Sequence, residues 1–248
     1  MTDDESIASK STESFEDLVW LFQCDSRNRG IIRQGFDEAA LLWKAVKATA
    51  GDIIEIGRNK AGSTVLLAAA GQGRTVHSVD IRLKNHPKAQ EYLARPENKE
   101  RVHVLLDDSR KPLLNVTCGF LFIDGDHSFE GVLADVIAHW NSLETVEGKP
   151  GLAAFHDALP NDNFKWRDEE RRFNRFWTRL KNTFRTRQKE EIAPDYEIGV
   201  NRVCQQLIDE GMAERWGAAS SVLVLKKLAD LPSDFSSHFS NESKQKYK

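Results

Sequence analysis

The chain has 248 residues, with 35 basic against 38 acidic side chains and a formal net charge of −3. That suits one α/β domain able to bury its own core, and no global field draws the molecule toward nucleic acid or a membrane surface. The three cysteines, Cys24, Cys118 and Cys204, are odd in number and far apart. They argue against a disulfide framework and a cysteine-built zinc site, and for a reducing, cytoplasmic setting.

Met1 to Ser14 is acidic and rich in Ser and Thr, without the apolar centre of a signal peptide. No apolar run approaches the ~18 residues that a spanning helix needs. Residues 1–14 and 231–248 read as polar, disordered tails around a domain over 15–230. Leu18 to Phe22 opens an apolar stretch and is a candidate surface for a homo-oligomer. Glu38 to Val46 has helical period, with Ala39, Leu42, Trp43 and Val46 on one stripe.

Ile53 to Ile56 is a short apolar run of the kind buried on both faces in a parallel sheet. Val65 to Ala70 continues as a helix, stopped by Gly71-Gln72-Gly73. Thr75 to Val79 is a second strand, ending in Asp80. A polar helix follows around Lys88 to Ala94. Val102 to Leu106 is a third strand, ending in Asp107-Asp108-Ser109. Phe120 to Ile123 is a fourth, ending in Asp124-Gly125-Asp126-His127. The next helix starts near Ser128, an N-cap type, and carries Val132, Val136, Ile137, Trp140 and Leu143 on one stripe. Leu152 to Phe155 is a fifth strand, ending in His156-Asp157, and Ser221 to Leu225 closes the sheet. This alternation predicts a doubly wound sheet with right-handed crossovers. A basic helical insertion near 160–200 interrupts it. Phe164 to Gln188 sets Phe173, Phe176, Trp177, Leu180 and Phe184 on one face and Arg171, Arg175 and Arg179 on another, either packing on the sheet or covering the site. Its acids Asp168, Glu169 and Glu170 can pair with the following arginines, so a solvated face is the simpler reading.

Ligands of such sheets bind outside the carboxyl ends of the strands. Five strands in succession end in polar, mostly acidic residues here, beyond what strand termination requires. The first loop, Gly57 to Thr64, joins strand to helix but is neither a dinucleotide fingerprint nor a P-loop. Its small residues and helix N-terminus suit a smaller anionic group. Asp80 is placed as an acceptor for a ribose diol. Together they point to an adenosine-type cofactor.

The runs Ile53 to Thr64, His77 to Asp80, Phe122-Ile-Asp-Gly-Asp-His-Ser-Phe-Glu-Gly131 and Phe155-His-Asp157 resemble class I S-adenosylmethionine-dependent methyltransferases. The Asp-Gly-Asp-His run is similar to the macrocin-type and catechol-type O-methyltransferases. The resemblance covers Gly30 to Asp157 and extends more weakly to Leu225. It implies a Rossmann-like, mostly parallel seven-stranded sheet with helices on both faces, and O-methylation of a small-molecule acceptor. It puts Glu55, Gly57 and Ser63 around the methionine part of S-adenosylmethionine, Asp80 on the ribose, Asp108 and Ser109 beside the adenine, and Asp124 at the edge of the same pocket. It further implies Mg2+ or another divalent cation at Asp124, His156 and Asp157, with His127 as general base. An imidazole near neutral pH suits that task. The chain departs from the family at Ala61, which stands where a second glycine is usual. Asp126 and Ser128 also fit helix capping, and both histidines fit structural hydrogen bonding. Neither a nucleic-acid partner nor a membrane span is expected. Rival readings are a metal-dependent hydrolase on the Asp/His cluster, an NAD-dependent oxidoreductase, and a noncatalytic binding module.

Overall fold

The structure, a computed structural model, describes residues 14–23, 30–113, 115–159 and 199–236. The strands are β1 (Asp52–Ile56), β2 (Val76–Asp80), β3 (Val102–Leu106), β4 (Cys118–Ile123), β5 (Leu152–Phe155), β6 (Ala213–Ala219) and β7 (Val222–Lys227). The helices are α1 (Phe36–Ala48), α2 (Gly62–Ala70), α3 (Pro87–Leu93), α4 (Pro96–Lys99), α5 (Phe129–His139) and α6 (Gly199–Asp209), and a 3-10 helix spans Phe15–Phe22. The sheet order is β3-β2-β1-β4-β5-β7-β6. Strands β1 to β5 run parallel, and β7 is antiparallel to both β5 and β6. This is the expected seven-stranded, mostly parallel, Rossmann-like architecture.

Strands β4 and β5 are buried throughout, as a parallel sheet with both faces covered demands. Side chains alternate between two cores. Ile53, Phe120, Phe122 and Leu152 face α1, α2 and the 3-10 helix, whereas Ile54, Ile56, Leu121, Ile123 and Phe155 face α5 and α6. The chain winds outward through β2 and β3, then returns to β4 on the other side of β1. The crevice between the ends of β1 and β4 is thus the topological switch point.

Several expectations change. Leu18, Trp20 and Leu21 are buried in the protein's own core, which withdraws them as an oligomer surface. Helix α2 starts at Gly62, before Val65, because Ala61 adopts a left-handed conformation, φ +69°, that turns the chain into it. On α5 the buried stripe runs through Val132, Val136 and His139, while Ile137 is 47% exposed. Strand β7 does not close the sheet: it lies inside β6, which was not foreseen, nor was α6. The polar tail expected from 231 includes Phe235, which is buried. Residues 1–13 and 237–248, and the basic stretch Phe164 to Gln188, lie outside the described residues. Among the described residues, no helix is long and apolar enough to cross a membrane.

Candidate active site

The first loop is built around Asp80. Its Oδ2 accepts hydrogen bonds from the backbone N–H groups of Arg58 and Asn59, both at 3.0 Å, and its Oδ1 accepts one from Arg82 at 2.8 Å. A carboxylate offers about four lone-pair sites, so acceptor capacity remains. Gly57 sits at φ +83°, where a Cβ would run into the backbone of Asp124. The absence of a side chain therefore lets the β1 and β4 loops meet. Glu55 points the other way. It is fully buried and accepts hydrogen bonds from Thr64 Oγ1 at 2.6 Å and Ser78 Oγ at 2.5 Å. Burial raises its pKa against the pull of Ser63, Ser78 and Thr64.

A cavity of about 780 Å³ opens over the switch point. Of the residues expected around the cofactor, Gly57, Asp80, Asp108, Ser109 and Asp124 line it. Glu55 and Ser63 do not: they stand behind the loop rather than at the cavity surface. Six carboxylates, those of Asp80, Asp108, Asp124, Asp126, Glu130 and Asp135, line the cavity against Arg82, Lys84 and Arg110. Ile81, 67% exposed, is an apolar face next to Asp80. Arg110 grips Asp108 from Nε, at 2.9 Å from Oδ1, and from Nη2, at 2.6 Å from Oδ2, and these bonds hold that carboxyl at about 2.

Beside the cavity the ends of β4 and β5 bring the acids and imidazoles together. Asp124 Oδ1 lies 3.1 Å from His127 Nε2 and 3.0 Å from His156 Nδ1. His127 Nδ1 lies 3.0 Å from Asp157 Oδ2, and His156 Nε2 lies 3.7 Å from Glu38 Oε2. Burial opposes a charge on His127, but Asp124 and Asp157 outweigh it and raise its pKa to about 9. With no ion between these acids, they favour the protonated ring. Burial likewise opposes the charge on His156, and Asp124 leads the groups that raise it regardless. Asp124 is lowered, its own burial overcome by the two imidazoles. One donor atom each from Asp124, His127 and His156 lies within 4.8 Å of the others. His156 Nδ1 is buried, 3.0 Å from Asp124 Oδ1 and 3.7 Å from Asp157 Oδ1.

Two residues of this cluster were not foreseen. Gln34 Nε2 donates to Asp124 Oδ2 at 2.7 Å. Glu38 accepts from the Gly35 N–H at 2.7 Å and from the Ser221 hydroxyl at 2.6 Å, and it faces His156. Burial works against its charge, but His156, Ser221 and Gly35 prevail and lower it to about 2. The capping position of Glu38, three residues after Gly35, was readable in the sequence. Its reach to His156 and Ser221 had no local signal. Asp135 and Ile81 were also missed, and an exposed apolar residue directly after the β2 acid was the available clue.

Residues 54–158 match a family model described as a methyltransferase domain. No curated protein matches the chain. Among solved structures, the chain is similar to a Staphylococcus aureus protein assigned as a caffeoyl-CoA O-methyltransferase, at 12% identity and TM-score 0.50, over 77% of this chain and 82% of that one. It is similar to the cofactor-bound Rv0187 from MTB, at 15% identity and TM-score 0.51, over 81% and 83%. It is also similar to a Klebsiella pneumoniae protein assigned as an O-methyltransferase, at 12% identity and TM-score 0.50, over 91% of both chains. At such identities the likeness speaks for the fold. Residues 54–158 thus match a methyltransferase-domain model, and the Rossmann-like sheet is the fold that these proteins share.

Proposed function

We propose that the protein transfers the methyl group of S-adenosylmethionine to a hydroxyl of a small molecule, with a divalent cation assisting. The observation that carries this reading is the double membership of Asp124, which lines the switch-point cavity and anchors the Asp/His cluster. A donor in the cavity and an acceptor at the cluster would then meet at one residue. The O-methyltransferase assignments of two fold neighbours and the cofactor-bound state of Rv0187 support it.

On this reading the methionine part lies by the Gly57 loop, the ribose diol donates to the open lone pairs of Asp80, and the purine lies toward Asp108 and Ser109 against Ile81. Glu55 and Ser63 brace the loop from behind. The buried His156 Nδ1 and the oxygens of Asp124 and Asp157 that converge on it, at 3.0 and 3.7 Å, fit a metal ion. Asp124, His156 and Asp157 would hold it, and imidazole nitrogen favours a cation of the manganese-to-zinc class over Mg2+. Such a cation would supply Lewis-acid chemistry, favouring loss of the acceptor hydroxyl's proton.

His127 takes the hydroxyl proton on Nε2 while Asp157 orients the ring through Nδ1. It does so only when Nε2 is released from Asp124, because between two carboxylates the ring is already protonated. The acceptor oxygen bonds to the methyl carbon as the carbon–sulfur bond breaks, and sulfur keeps the electron pair. Positioning and electrostatics supply most of the rate. A hydrolase built on the same cluster leaves the adjoining cavity without use. Cys118 and Cys204 are free, buried thiols, which accords with a cytoplasmic enzyme.

Calorimetry with S-adenosylhomocysteine tests the placement. The parent is expected to bind in the micromolar range. Asp80→Ala loses a charged acceptor worth about 1.5–3 kcal/mol, so Kd should rise at least about tenfold. An unchanged Kd in a folded variant overturns the cofactor placement.

A further inference from the structure

The side chain of Asp135 is 2% exposed, yet it lines the cavity. Its Oδ1 accepts a hydrogen bond from Ser109 Oγ at 2.7 Å. Its Oδ2 has no hydrogen-bond partner among the described residues. A Cβ at position 125 would stand 3.4 Å from Oδ2, in van der Waals contact, so Gly125 keeps the space beside that oxygen free. That oxygen opens onto the cavity rather than being sealed in the core, so a ligand donor can reach and complete it.

The surroundings say which donor. Asp135, on α5, and its partner Ser109, just after β3, line the same cavity as Asp80. Gly131 and Ala134 of α5, which add little bulk, and the apolar Ile81 after β2 line the same cavity and suit a flat ring. Another acid of the cavity, Asp108, is occupied by Arg110 in a two-point grip. Ser109 is itself fixed twice from α5: its hydroxyl by Asp135, and its carbonyl by His139, whose Nε2 donates at 2.7 Å. Burial, with Asp126 and Asp108 nearby, pushes the Asp135 carboxyl up to about 6 against the pull of Ser109, so it is mostly ionised and an acceptor at neutral pH.

Building on the methyl-donor reading, we propose that Asp135 is the purine-reading residue of the site, its open Oδ2 accepting a hydrogen bond from the exocyclic amino group of adenine. A 6-oxo purine presents an acceptor at the same position. It faces Asp135 with oxygen against oxygen, and the site rejects it. Selection of the base thus rests on a helix residue after β4, while Asp108 serves to hold Arg110.

The test compares calorimetric binding of S-adenosylhomocysteine and S-inosylhomocysteine to the full chain and to Asp135→Ala, with melting curves confirming that both are folded. The parent should prefer the adenosyl ligand by at least about tenfold, from a charged hydrogen bond gained and an acceptor clash avoided. Asp135→Ala should lose most of that preference, with the adenosyl ligand weakened and the inosyl ligand, freed of the oxygen–oxygen contact, strengthened. Should both ligands weaken together with the ratio preserved, Asp135 only braces Ser109 and the proposal fails. It fails equally if Asp135→Ala binds both ligands as the parent does. A parent that binds neither ligand overturns the methyl-donor reading itself, and the assignment of Asp135 with it.

Discussion

His127 illustrates how neighbours, rather than residue type, fix what a side chain does. With Asp157 on Nδ1 and Asp124 on Nε2, its pKa is raised to about 9, above the ordinary 6.5. The folded state therefore holds a proton that the unfolded state gives up earlier. The resulting stabilisation is complete below about pH 6.5 and is lost as pH rises through about 9. In the presence of chelator, denaturant titrations should show stability falling by on the order of 1–3 kcal/mol across that window. His127→Gln should flatten the fall, and parallel pH profiles for parent and variant would refute the account. The Asp-Gly-Asp-His run was legible because four consecutive residues at a strand end carry their own pattern. Gln34, Glu38 and Asp135 were not, because their partners lie 90, 183 and 26 residues away in sequence. Nor did the motif reveal that Glu55 is turned from the cavity, since the facing of one side chain depends on how α2 packs over β1.

Helix α5 ties these side chains into a wall. Its N-cap is Ser128, whose Oγ accepts from the Gly131 N–H at 3.1 Å. One turn apart, Asp135 and His139 reach the same residue, Ser109, across from β3. Ser128→Ala should cost about 1 kcal/mol of stability by leaving a helix-end N–H unpaired. A melting temperature equal to the parent's would count against that capping role. Strands β1 to β5 and helices α1, α2, α3 and α5 were readable, because continuous apolar runs and helical stripes are local signals. Strand β6 was not: Ala-Glu-Arg-Trp-Gly-Ala-Ala has no β-branched residue and a glycine within it, and it is an edge strand paired with β7 alone. The buried Phe235 escaped notice for a related reason, since its neighbours are polar and its burial is decided by α5 and the rest of that core.

The domain as a unit places six carboxylates and three basic groups around one cavity. Under the proposed function, the donor arrives as a sulfonium cation and departs as a neutral thioether. The acidic lining attracts the first and is indifferent to the second, so the reaction weakens the hold on its own by-product. Relief from product inhibition is then a property of the cavity's charge and needs no moving part. Added salt screens such an advantage. The ratio of S-adenosylmethionine to S-adenosylhomocysteine affinity should therefore shrink as ionic strength rises, whereas a ratio indifferent to salt would mean that the carboxylates do not act on the sulfonium.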